Sequence, residues 1–158
     1  MNGNDAWHLT DTAAWYPTDA WSPITVVEFV QPAKPITMNQ RAHWSVKART
    51  SRAWRNAAHI AAVGASHGRG PKARAAGPRD VIVRFDVPGV RRRDPHNWHP
   101  TVKAIVDGLV DAGLWPDDTP DHVRVLEPVL TPVPVPRRGQ PLQRLACTVE
   151  LVPRNRKV

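Results

Sequence analysis

A single cysteine, Cys147, stands in the 158 residues. One chain can therefore form no internal disulfide, and a zinc cluster built on thiolates is excluded with it. The expected setting is a reducing one, the cytoplasm. Long apolar runs are also missing. None approaches the roughly 18 residues of a membrane helix, and residues 1 to 23 lack the charged start and apolar core of a signal peptide. Neither secretion nor membrane insertion is expected. The Gly-rich stretch over 64–78, GASHGRGPKARAAGP, is no nucleotide fingerprint, because no Lys followed by Ser or Thr comes after its last Gly and no strand leads into it. His8, His43, His59, His67, His99 and His122 show no zinc-helix spacing, and no internal repeat is present.

What the chain has in excess is arginine. Lys plus Arg total 22 against 14 Asp plus Glu, a formal net charge of +8, and 17 of the 22 bases are Arg. Guanidinium groups grip phosphate in a bidentate fork as well as by charge, so a polyanionic partner is expected. The charge is unevenly placed. Residues 41–93 carry thirteen bases against Asp80 and Asp86, whereas residues 94–127 carry seven acids against Lys103 and Arg124. An acidic island in a basic chain would repel the polyanion that the rest attracts, unless a divalent cation neutralises it. The plainer role for these acids is to cap and solubilise one helix and its loops.

The periodicities predict a modest set of elements. Ile24–Val30 is a β-branched run stopped at Gln31-Pro32 and reads as a buried strand. Ser45–Ala62 reads as a helix with an apolar stripe (Val46, Ala53, Trp54, Ala57, Ala61) and a basic face containing Lys47, Arg52 and Arg55. Residues 64–78 should be a mobile loop. Asp80–Val87 alternates cleanly as a strand, and Pro100 to Gly113 reads as a second helix with Val102, Ile105, Val106 and Leu109 on one face. Val123–Val129 and Leu145–Val152 complete the pattern as two further strands. The order predicts an α/β (α+β) fold, a single small domain with a mixed sheet of about four strands and two main helices, spanning 24–158 behind an irregular N-terminal extension over 1–23.

The chemistry is concentrated in residues 91 to 123, RRRDPHNWHPTVKAIVDGLVDAGLWPDDTPDHV. An arginine run leads into Asp94, then come Asn97, Lys103 and Asp107 on the following helix, a Gly-containing helix end, and the pair Asp117-Asp118. In this ordered set the chain resembles the RusA-type Holliday-junction resolvases, small nucleases of bacteria and their phages. The likeness is densest over about 35 residues and looser from Ile24 to the C-terminus, where Pro35 to Asn39 followed by Arg41 is similar to the family's early Pro and Asn segment. The resemblance implies a homodimeric, Mg²⁺-dependent endonuclease of the bacterial or phage-infected cell that nicks four-way DNA junctions symmetrically.

Each part also has a use of its own. Asp94 and Asp118 are the principal candidate metal ligands, with Asn97, His96, Asp107 and Asp117 as auxiliaries. Lys103 and Asp107 share a helix face at i, i+4 and can pair, or Lys103 can aim its ammonium at the scissile phosphate. Arg91, Arg92, Arg93, Lys47, Arg52 and Arg55 would hold backbone phosphates. His96 stands where the family usually has a second acid, and about three extra residues separate Asn97 from Lys103. An uncharged imidazole weakens the site for Mg²⁺ and tilts it towards Mn²⁺, so a branched-DNA-binding protein with weak or no cleavage is the alternative. A helix over 100–113 is about 20 Å long. Asp94 and Asp118, at its two ends, therefore share an ion only if the chain folds back along it or a second subunit completes the site. Trp54 and Trp115 are expected in the core, while Trp44 and Trp98 are placed either there or against an unpaired base.

Overall fold

The computed structural model describes residues 25–65, 77–138 and 143–154. The extension expected over 1–23 and most of the loop expected over 64–78 lie outside them. The elements run β1 (Thr25–Val30), α1 (Trp44–Ala65), β2 (Arg79–Pro88), a 3-10 turn (Pro95–Trp98), α2 (His99–Asp111), β3 (Val123–Val125), β4 (Val129–Val133) and β5 (Ala146–Pro153).

The fold is α+β, with one mixed sheet and two helices. β5 lies between β1 and β2, antiparallel to both, while β3 and β4 both pair with β2 in parallel. The sheet has five strands rather than about four, because the run expected over 123–129 is broken. β3 pairs with residues 79–81 of β2, Leu126 N donates to the Val81 carbonyl (2.9 Å), and pairing resumes only at Arg84↔Val129. Pro128, which has no N–H to give a ladder, sits in the gap.

Both helices cover the same face of the sheet. β2 points Val81, Val83, Phe85 and Val87 inward in strict alternation, and β5 adds Cys147, Val149 and Leu151. Against them pack Trp54, Ala58 and Ala62 of α1 and Val102, Ile105, Val106 and Leu109 of α2. The opposite face carries ion pairs instead, Arg84 with Glu150 and Arg124 with Asp80. The two helices approach closely at Gly108, where any Cβ would collide with the Arg55 carbonyl and come to 3.0 Å from Ala58 Cβ.

Two local devices position the functional stretch. Gly113, at φ 83°, ends α2: Gly113 N donates to Val110 O (2.8 Å) and Leu114 N to Leu109 O (3.2 Å), the paired closure a left-handed residue allows. Leu114 and Trp115 are thereby driven into the core, where Trp115 Nε1 donates to the Gly77 carbonyl (2.9 Å). At the other end the buried Thr101 hydroxyl accepts from Ile36 N and donates to Ile36 O, both at 2.8 Å, which ties the segment after β1 to the first turn of α2. Trp98 is buried and packs on Phe85 at 4.9 Å between ring centroids, so of the two tryptophans considered for base stacking only Trp44 presents its face. No helix among the described residues is long and apolar enough to cross a membrane.

Candidate active site

Charged residues gather in two places along the start of α2. The first is on the helix itself. Lys103 and Asp107 pair across one turn at 2.7 Å, the spacing expected of i, i+4 partners. The reversal at Gly113 brings the chain back so that Asp118 also bonds to the Lys103 ammonium. Asp117 accepts from Asp118 N at 2.7 Å, which fixes the peptide that carries Asp118. Hydrogen bonds donated by Lys103 to Asp107 and to Asp118 raise the Lys103 pKa above its usual value, and the Lys103 ammonium holds the Asp118 carboxyl below the usual carboxylate range. A cavity of about 300 Å³ beside them is lined by His99, Val102, Val106 and Val125 as well as Lys103 and Asp118.

The second place precedes the helix. Asp94 caps the 3-10 turn, accepting from His96 N (3.0 Å) and from Asn97 Nδ2 (3.4 Å). Asn97 in turn accepts from Asn39 Nδ2 (3.2 Å), and its carbonyl accepts from Met38 N (2.8 Å). Asp94, Asn97 and Asn39 open onto a groove of about 950 Å³ that also takes in Asp86, Lys34, Arg91, Arg92, Arg93 and Arg144. Asp86 was not a sequence candidate. Its Oδ2 accepts from Ala146 N (3.0 Å), so it ties β2 to the start of β5 while its residue lines the groove. The available signal was its place on the outward face of an alternating strand, eight residues before Asp94.

Asp94 and Asp118 therefore stand in different cavities. The 3-10 turn runs straight into α2 rather than folding back along it, and Asp118 returns only as far as Lys103. Among the described residues no three His, Cys, Asp or Glu side chains gather to hold a metal. The two places are nevertheless neighbours: the His96 and His99 rings meet edge to face at 4.8 Å, one in the capped turn and the other lining the smaller cavity. Cys147 is buried in β5 and its thiol pKa is pushed up by desolvation, so it offers no thiolate.

The donor set fits a hard cation in a particular way. Asp107 and Asp118 each place an oxygen within hydrogen-bonding reach of one ammonium nitrogen, so those oxygens are no more than about 6 Å apart. Mg²⁺ is commonly held by one or two carboxylates, with waters and substrate phosphates completing its shell, and needs no third protein acid.

The expected phosphate contacts divide. Arg91 and Arg92 are exposed at the groove. Arg93 is braced on backbone, donating to Pro88 O (3.0 Å) and Arg91 O (3.4 Å). On α1, Arg52 is exposed and Lys47 half-buried, but Arg55 makes a two-pronged bond to Asp111 at 2.5 and 2.7 Å, which raises its pKa. Arg55 thus serves the contact between the helices. Comparison with protein-family models and with curated proteins gives no match for this chain.

Proposed function

We propose that the protein is a metal-dependent endonuclease that cleaves branched DNA, four-way junctions above all. The observation that carries this reading is the Lys103 ammonium held jointly by Asp107 and Asp118, next to an arginine-lined groove. Two carboxylates already organised around one positive charge form a seat that a divalent cation can share.

Asp107 and Asp118 would hold Mg²⁺ or Mn²⁺, and Asp94 and Asn97 would meet the substrate or a further ion from the groove side. Such an ion supplies an activated water and neutralises the departing oxygen. The chain's own residues do the rest. Arg91 and Arg92 grip phosphates in the groove. With a phosphate in place Lys103 is drawn from Asp118 towards its non-bridging oxygens, where the ammonium offsets charge that grows as water adds to phosphorus and the P–O bond to the leaving strand breaks. Junction preference and a homodimer come from the likeness to RusA-type resolvases. A two-fold dimer would present one site to each of two opposed strands of a nearly two-fold junction.

A second reading, junction binding without cleavage, is favoured by one specific observation: Asp94 and Asp118 line separate cavities, Asp94 in the larger and Asp118 in the smaller. A synthetic four-way junction incubated with the protein and either Mg²⁺ or Mn²⁺ decides. Paired nicks near the branch support the nuclease, and binding without product in both metals supports the second reading.

A further inference from the structure

Four tryptophans fall within the described residues, and three are core: Trp54, Trp98 and Trp115 are at most 8% exposed. Trp44 is 73% exposed. It is the first residue of α1, and the cap that starts the helix also braces the indole. The His43 carbonyl accepts from Val46 N (3.0 Å), its ring nitrogen Nδ1 accepts from Ser45 N (3.3 Å) and lies 2.8 Å from Ser45 Oγ, and the same ring sits 5.6 Å from the Trp44 ring centre at a 40° tilt. One side of the indole is thus supported while most of its surface faces water.

The helix around it is also only loosely packed. No residue of α1 before Trp54 is buried, a stretch of about 15 Å at ~1.5 Å per residue. Val46 is exposed here too, and Met38 lies exposed in the segment leading to the helix. The charge along this stretch of the chain has one sign. Arg41, Lys47, Arg49 and Arg52 lie on or next to this half of the helix, and no acid occurs anywhere between Glu28 and Asp80. A two-fold contact of this surface with its own copy would set like charges against each other. The occupant that matches both features is a polyanion that shows flat apolar faces. Duplex DNA hides its base faces, whereas unpaired DNA exposes them.

We propose that the N-terminal half of α1 is a binding arm for unpaired DNA. Trp44 stacks on an exposed base, Lys47, three residues on along the same helix face, takes the adjoining phosphate, and Arg41, Arg49 and Arg52 follow the backbone. The inference rests on the DNA-cleavage reading and deepens it, since bases that lose their partners at a branch point become the feature recognised.

The test measures fluorescence anisotropy of labelled oligothymidylate and of a blunt duplex of equal length, without metal, for the parent, Trp44→Ala and Trp44→Phe. Thermal melts confirm that each variant folds, and light scattering records its oligomeric state. Trp44→Ala should weaken oligothymidylate binding about tenfold, with a clearly smaller loss on duplex, and Trp44→Phe should recover most of it. Equal losses on both DNAs, no loss on either, or a parent that does not bind oligothymidylate would overturn the proposal. A change of oligomeric state in Trp44→Ala would do the same, by showing that the arm is a subunit contact. The outcome is separable from the nuclease question: Trp44-dependent single-strand binding with no junction cleavage in Mg²⁺ or Mn²⁺ keeps this inference and removes that reading.

Discussion

The two charged places beside α2 are built on opposite plans. Around Lys103 the charges answer one another, with one ammonium, two carboxylates bonded to it and a third acid holding the backbone between them. Around Asp94 the balance is left open: three consecutive arginines, Lys34 and Arg144 face a groove whose acids, Asp86 and Asp94, are occupied with backbone amides. A cluster whose charges bond to one another holds its geometry without a ligand, and one with a surplus of positive charge supplies long-range attraction. On the proposed reading the first place does the chemistry and the second captures the DNA.

That assignment can be broken most severely at Lys103. Lys103→Met should lower junction cleavage by roughly a hundredfold or more while gel-shift affinity changes little. An equal loss of binding and cleavage would return Lys103 to the capturing surface. Next in size is the seat of α2 itself. Gly108→Val forces a side chain against the Arg55 carbonyl and Ala58, and should cost about 1–3 kcal/mol of stability in urea titrations, with cleavage falling because the Lys103 cluster moves.

On the capture side, replacing Arg91 and Arg92 together by Ala should weaken binding to all DNA shapes alike. It should also flatten the slope of log K against log salt by roughly 2, at ~0.9 per lost phosphate contact. An unchanged slope would place those arginines off the DNA.

The smallest expected effect is a pH dependence. Lys103 holds the Asp118 pKa down, so the pair stabilises the fold at pH values above the ordinary carboxylate range, and that contribution is lost as pH falls through the lowered value. The raised pKa of Lys103 works at the other end, its contribution being present below the ordinary lysine value and lost as pH rises through the raised one. Both groups are substantially exposed, so screening keeps the effect below about 1 kcal/mol. Urea midpoints of the parent and Asp118→Asn should differ at pH 7 and converge as the pH falls below the ordinary carboxylate range.

Much of this architecture was legible in the residues. The alternation of Asp80–Val87, Pro100 at the start of α2 and Gly113 at its end are local signals and describe local structure correctly. The Lys103–Asp107 pair is a spacing rule on a single helix. What escaped depends on distance along the chain. The bond between Arg55 and Asp111 joins residues 56 apart, and only the packing of α1 on α2 at Gly108 creates it. The split between β3 and β4 arises from where β2 accepts partners, which the β-branched run over 123–129 does not reveal. The separation of Asp94 from Asp118 turned on whether residues 94–98 fold back or continue into the helix, and the Asp94 cap decides it in favour of continuing.

The central claim is that Asp118 is catalytic in a protein that binds junctions by other residues. Parent and Asp118→Asn should therefore be compared on one end-labelled four-way junction in Mg²⁺, with binding and product scored in the same samples. The account predicts equal binding, with paired nicks from the parent and at least a hundredfold less product from the variant. A variant that nicks as fast as the parent would contradict it.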